Sequence, residues 1–477
     1  MNEPELLASC SVTSSQVADR PRATLAVAGA ATFLALVVFT TPLATLPSTA
    51  TALGAGPAAQ AWILSSMSIG LGVALLSVGA LGDDLGRRRV LVLGAVVLAA
   101  SSVLGALAPS ALVLVVARIL QGLGAAALVA CSQGLLGHAF PAGTPEARTA
   151  SSVWGASLGA GIAAGPFLAS GLDGVVGWTG AYWAGALGAV ILALVAPRAV
   201  PESRAAQPRP IDLPGVLVLA AGLAALLAGL VEGRAGFGRQ VVLALLAVGV
   251  VLLVVFVMLE RRRASPMLDV TLFASPAFVA ATVGALATGM GIIATTSFLG
   301  TVVERGLGST ALVGALLLFA WSGTSVVTAV LARRLPAAWP GRLQLAAGLV
   351  VVAAGQLLLL GLATGDSPLS LVPGLALAGA ASGVVNAALG REAVASVPPG
   401  RGAMGGGANN TARYVGSALG VTVIVVVATR PSLGGGAEGL LAGWNDALPI
   451  SVAFSLVGAA AVAACRPRRV RTAVASG

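Results

Sequence analysis

The chain has 477 residues, 57% of them apolar and only 9% charged, with a mean hydropathy of +0.97. An ordinary soluble domain carries about 25% charged residues, so there are too few here to cover a globular surface, and a soluble enzyme is excluded. The net charge of +10 is carried entirely by arginine, in short groups between long apolar runs. That distribution writes membrane topology rather than a nucleic-acid face. Cys10, Cys131 and Cys465 lie far apart and His138 is the only histidine, so no metal site, disulfide framework or cofactor is expected.

Residues 1–22 contain Glu3, Glu5 and Asp19 and are not a basic signal n-region. The apolar run behind them exceeds a cleavable h-region, so it reads as a retained first span after a disordered tail. A crossing helix needs roughly 20 residues without unpaired charge. Ala23 to Gly82 is uncharged and has room for two crossings, with a break at Pro47 to Gln60. Uncharged runs follow at Val90–Ala117, Thr149–Leu172, Gly174–Pro197, Leu213–Val231, Gln240–Leu259, Val270–Val303, Gly306–Ala332, Leu343–Gly365, Ser367–Gly390, Ala408–Thr429 and Ala447–Cys465. With the helix through Arg118 that ends near His138, the expected count is fourteen.

An even count puts both termini on one side. Placing them inside assigns Arg87–Arg89, Arg148, Arg198, Arg204, Arg209, Arg261–Arg263, Arg333, Arg334, Arg342, Arg391, Arg401 and the tail arginines to the cytoplasm. Only Arg234, Arg239, Arg305 and Arg430 fall outside, the asymmetry the positive-inside rule requires. Trp62, Trp178 and Trp444 are then expected to start helices at the outer interface.

The loop after the second span reads Gly79-Ala-Leu-Gly-Asp83-Asp84-Leu-Gly86-Arg87-Arg88-Arg89. Gly82 and Gly86 would permit a tight bend, and an Asp would accept free N–H groups at the next helix start. In the fourth span Arg118 and Gln121 are three apart and share a helix face with Gly122 beside them, and an Arg at that depth is costly unless it faces a cavity or partner. In the fifth, Gly161 and Gly165 offer a flat packing face and Pro166 a kink. Generic helix packing would also explain that run.

These stretches resemble the loop, fourth-helix and Gly-Pro exporter motifs of the major facilitator superfamily, specifically its fourteen-helix drug:proton antiporter group. A degenerate echo of the loop, Leu331-Ala-Arg333-Arg334-Leu335, lies 250 residues after Leu81. The resemblance implies an all-α polytopic membrane protein: two six-helix bundles, 23–197 and 269–465, with a two-helix insertion at 198–268 and a basic tail at 466–477. It further implies a secondary exporter of small amphipathic molecules in the cell membrane, acting by alternating access, monomeric and coupled to protons. Gly79, Asp83, Gly86, Arg87 and Arg88 would gate the cytoplasmic side, Arg118, Gln121 and Gly122 would couple within the membrane, and Gly161, Gly165 and Pro166 would carry the exporter motif.

The sequence departs from that group in its first helix. An Asp is usual there before the Leu-Pro pair, but Leu36-Val37-Val38-Phe39-Thr40-Thr41 precedes Leu46-Pro47, and no acid is evident at mid-depth elsewhere. A proton would have to use Glu304, Asp173 or His138. Cavity candidates are mostly neutral: Thr40, Thr41, Thr45, Trp154, Thr295, Thr296, Trp321, Asn386, Asn409, Asn410, Arg413 and Tyr414, each equally suited to interhelical packing. Such a cavity suits apolar or weakly polar compounds. An uncoupled facilitator or importer is the nearest alternative, and a polytopic enzyme or receptor-like protein the more distant one.

Overall fold

The computed structural model describes residues 20–466 except 211, 235, 264–265 and 337–338; the two terminal tails expected from the sequence lie almost wholly outside these residues. All regular structure among them is helical. The first half contains α1 (Pro21–Thr40), α2 (Pro42–Leu53), α3 (Pro57–Leu85), α4 (Arg87–Ala106), α5 (Ala111–Ala139), α6 (Pro145–Val176) and α7 (Thr179–Ala199). A hairpin of α8 (Leu213–Gly233) and α9 (Gln240–Arg262) follows. The second half contains α10 (Pro276–Gly306), α11 (Ala311–Leu331), α12 (Gly341–Leu357), α13 (Val372–Ala395), α14 (Gly402–Ala428) and α15 (Gly436–Ala464). Among the described residues thirteen helices are long and apolar enough to cross a bilayer, and α12 is a shorter apolar fourteenth.

Helix starts follow ordinary chemistry. Prolines occupy the first turns of α1, α2, α3, α6 and α10, where a missing N–H costs nothing. Thr144 and Asp212 cap α6 and α8 by accepting the N–H groups of Ala147 and Gly215 at 3.1 and 3.0 Å. Pro42 divides α1 from α2: it has no N–H to give the Val38 carbonyl four residues earlier, so that oxygen needs another partner.

The halves pack alike. In the first, α5 lies against α3, α4 and α1, and α6 against α1; in the second, α13 lies against α11 and α12, and α10 against α14 and α15. Each half encloses its own apolar core. The halves meet along two seams, one where α14 crosses α3 and α5, the other where α6 crosses α11 and α13. The α8–α9 hairpin covers the first seam, with α8 touching both α3 and α14. The outer flank of α9 presents Val241, Leu243, Val250, Val251 and Val254, a surface fit for lipid.

Three expectations are corrected. The break between the first two crossings is not Pro47 to Gln60: α2 runs through Pro47, and the chain turns at Gly54 with φ +60°. The crossing expected at Leu343–Gly365 is helical only to Leu357, because Leu358–Ser367 turns away at Gly361 and Gly365, both with positive φ. Trp444 does not begin a helix at an interface. It is fully buried in α15 and donates to the Leu359 carbonyl at 3.1 Å, which secures that non-helical segment.

The closest crossing in the first half sets the spacing of α3 and α5. A Cβ at Gly122 would lie 2.7 Å from the Leu71 nitrogen and 2.8 Å from the Gly70 Cα, whereas nothing lies within 4 Å of one at Gly300. Gly122→Val is expected to destabilise the protein by about 1–3 kcal/mol through overpacking, while Gly300→Ala leaves it unchanged. Thermal unfolding of the two variants in detergent checks this; equal melting temperatures would contradict the close approach.

Candidate functional site

At the arginine-rich end, the turn between α3 and α4 consists of Gly86 alone, with φ +117°. Gly82 remains helical and presses on Cys131 of α5, so it is not part of the bend. Asp83 is fully buried and does not cap α4 as expected. It reaches across the seam to the start of α14, accepting the N–H groups of Ala403 and Met404 at 3.2 and 2.8 Å. The α14 N-terminus, with its unpaired N–H groups and partial positive charge, is a favourable place for a carboxylate. Arg87 donates to Asp83 at 2.7 Å and to the Gly400 carbonyl at 2.6 Å. The charge pair therefore belongs to both halves.

The cap of α4 comes instead from Glu202, in the linker to the hairpin. Its carboxylate accepts the N–H groups of Arg88 and Arg89 at 3.0 and 3.2 Å. The same linker donates from Ala205 N to the Asp83 carbonyl at 2.7 Å and from Arg209 N to Asp84 at 2.9 Å. Arg401, at the foot of α14, pairs with Asp84 at 2.6 Å. Sequence reasoning missed Glu202, Asp84 and Arg401, since no local pattern marks a cap that comes from 114 residues away.

Arg118 is buried within the first half. It donates to Gln121 at 3.1 Å and to the Val38 and Phe39 carbonyls at 2.7 and 2.9 Å. These are the carbonyls at the Pro42 break. Gln121 in turn donates to Ser102 at 3.0 Å. The exporter-motif glycines face α1: a Cβ at Gly161 would sit 2.6 Å from the Phe33 carbonyl oxygen, and one at Gly165 2.8 Å from that of Val37. α6 runs unbroken through Pro166.

Between the halves lies a cavity of ≈ 760 Å³ lined by α1, α6, α10, α11, α13 and α14. Thr40, Thr296, Trp321, Asn386, Arg413 and Tyr414 line it, with Leu158, Ile162 and Phe39. It shares Phe39, Leu43 and Ser297 with a second cavity of ≈ 1390 Å³ toward the arginine-poor end, which Gln60, Arg234 and Arg305 line. Burial draws the Arg234 guanidinium down to about 10, which still leaves it charged at neutral pH. The two cavities thus adjoin between the middle and the arginine-poor end, while at the arginine-rich end Asp83 and Arg87 bridge the two halves.

Several expected lining residues lie elsewhere. Thr41 is buried with its hydroxyl on the Val37 carbonyl, and Thr45 donates to Thr41. Trp154 borders a separate cavity of ≈ 430 Å³ at the arginine-rich end, beside Gln133 and Gly390. Thr295 joins Gln356, Ser451 and Ser455 in a hydrogen-bonded cluster inside the second half. Asn410 donates to Gln133 across the α5–α14 seam at 3.0 Å, and Asn409 to the Ala281 carbonyl. Of the suggested proton carriers, Asp173 accepts from Ser48 at 2.7 Å, Glu304 is half-buried in the last turn of α10, and His138 is exposed at the arginine-rich end. None of the three lines the central cavity. Two further buried carboxylates, Asp212 and Glu260, sit at the feet of α8 and α9 and bind Gly215 N and Leu268 N.

The sequence model of the Major Facilitator Superfamily matches residues 28–421. The multidrug resistance protein Stp of Mycobacterium tuberculosis is 32% identical over 386 residues, 80% of this chain and 70% of that protein. The puromycin resistance protein pur8 of Streptomyces alboniger is 31% identical over 396 residues, 80% of this chain and 77% of that one. The crystal structure of the human organic anion transporter MFSD10 (TETRAN) superposes with a TM-score of 0.66 at 19% identity, over 93% of this chain and 99% of that one; at that identity it bears on the fold alone.

Two expectations follow from the geometry. Asp83→Asn leaves Arg87 buried without its anion, a defect of about 3–5 kcal/mol, and should open the arginine-rich end. Cys131, fully buried beneath Gly82 and Ala403, then reports the opening: with Cys10 and Cys465 replaced by Ser, maleimide labelling should rise at least tenfold over the parent, and an unchanged rate would detach the pair from closure. Arg118→Ala strands two carbonyls and should cut transport well below Leu120→Ala at equal membrane abundance.

Proposed function

Because the chain belongs to the major facilitator superfamily, we propose that it exports small amphipathic molecules from the cytoplasm by alternating access, driven by protons. It is a multi-pass membrane transporter and not an enzyme. The observation that carries the cycle is the asymmetric closure; the direction rests on the resistance functions named for the relatives. Asp83 and Arg87 bridge the halves at the arginine-rich end, while the central cavity adjoins, at Phe39, Leu43 and Ser297, the cavity toward the other end. With the arginine-rich end inside, as the positive-inside rule places it, both termini are cytoplasmic and this is the outward-facing state. A rocking motion about the two seams would break the lock, close the outer mouth and admit substrate from within. The resistance functions named for Stp and pur8 support export of this kind. The reading places a monomer in the cell membrane.

One observation favours a second reading. No carboxylate is among the described residues lining either cavity, and proton coupling commonly runs through a buried acid. An uncoupled facilitator or importer would need none. Uptake of puromycin into inverted vesicles, with and without an imposed pH gradient, separates the two. Export coupled to protons predicts gradient-dependent accumulation, abolished by an uncoupler, and a flattened pH profile in one of Asp173→Asn, Glu304→Gln or His138→Gln. Gradient-independent equilibration in the parent would remove the antiport assignment, and normal pH dependence in all three variants would remove those carriers.

A further inference from the structure

The polar groups of the central cavity are unevenly matched. The hydroxyls of Thr40, Thr288, Thr296 and Ser382 all donate to carbonyls of their own helices, at 2.7–2.9 Å. Their hydrogens are spent. Arg413 is only 6% exposed, and its Nε and Nη2 have no hydrogen-bond acceptor; the Trp321 Nε1 is also buried and unpaired. Native interiors rarely leave such donors unsatisfied, and a guanidinium without a counter-ion is the costliest case. No Asp or Glu is among the described residues that line this cavity or its mouth. The charged groups along the path are Arg305 and Arg234 at the mouth and Arg413 at its end. At the mouth Glu304 stands beside Arg305, but at the inner end the cavity carries surplus donors on Arg413 and Trp321 with no acid among its described lining residues.

Resting on the reading that this cavity is the transport site, we propose that its substrate is an amphipathic anion, an aromatic carboxylate or phenolate, whose charged group is received by Arg413 and Trp321. A planar carboxylate matches the guanidinium fork, and the interaction is charge-assisted. The apolar body of the molecule lies on Phe39, Tyr414 and Ile162; the first two rings already meet edge to face at 5.8 Å. The two mouth arginines raise the local concentration of anions and repel cations before they reach the site. This differs from the neutral preference that the threonine and asparagine content alone suggests, because the hydroxyls are already bonded within their own helices while Arg413 has neither acid nor acceptor for its Nε and Nη2.

Calorimetric binding to the purified full chain in phosphatidylcholine nanodiscs tests the proposal with three probes of one shape: 2-naphthoate, its methyl ester and 2-naphthylmethylammonium. The parent should bind the acid at least tenfold more tightly than either relative. Loss of one charge-assisted contact is equivalent to roughly a tenfold to hundredfold change in Kd, so Arg413→Gln should erase the preference and Arg413→Lys should retain most of it. Ester or cation binding as tight as the acid in the parent overturns the proposal, as does an undiminished acid preference in Arg413→Gln. Equal affinity in phosphatidylglycerol nanodiscs supports a soluble acid, whereas its loss there makes the anionic headgroup the occupant and overturns it. Export of ethidium without acid binding would sink the anion class and leave export standing. Selective acid binding without any export would do the reverse.

Discussion

The structure turns on one buried carboxylate. Asp83 sits in an apolar seam where an ion is tolerated only if every lone pair is met. Its donors come from Arg87 in its own half and from the first turn of α14 in the other. Arg87 then extends the contact to Gly400, and Asp84 to Arg401. Because neither half alone can satisfy the acid, its bonds tie the two halves together at this end. The contact is complete only when Arg87 and the first turn of α14 are both in place.

Arg118 solves the same problem without an acid. Pro42 removes the N–H that would occupy the Val38 carbonyl, and the shift of the following turn frees Phe39 as well. Two carbonyl dipoles and the Gln121 amide oxygen then receive the guanidinium. A carboxylate partner could gain and lose a proton, but carbonyls cannot titrate. The interaction involves no second titrating group, and it pins the α1–α2 bend, from which Phe39 and Thr40 enter the cavity. The missing helix-one acid and the proline bend are in this sense one feature.

What the sequence disclosed and what it hid divide along the same physical line. Apolar run lengths and arginine placement are local properties, so the helix count and the two halves could be read directly. The depth of Arg118 could also be read, since a charge inside a long apolar run demands an interior partner. The identity of that partner could not, because it consists of backbone atoms that a proline 76 positions upstream in the chain had freed. Asp83 looked like a cap for its own loop, as spacing suggests, yet the helix it caps begins 319 residues later at Gly402. Thr295, Trp154 and Asn410 were indistinguishable by type from true lining residues. Only the rotation of each helix decides whether a side chain meets the cavity, its own core or the seam, and residues this uniformly apolar leave that rotation unmarked.

The inserted hairpin is the remaining piece, and its contacts bear on how far the halves can separate. α8 rests on α3 and α14, the two helices that form the locked seam. At the end opposite the lock, Glu232 accepts from Trp62 of α3 at 2.8 Å, Arg234 donates to Ser65 of α3 at 3.0 Å, and Thr422 of α14 donates to the Leu230 carbonyl at 3.0 Å. At the locked end, the linker before α8 binds Asp83, Asp84 and Arg401. The hairpin is therefore tied to both halves at both ends of the seam. A separation of the halves along this seam must therefore break the α8 contacts to one half or carry the hairpin's bonds at both ends with it.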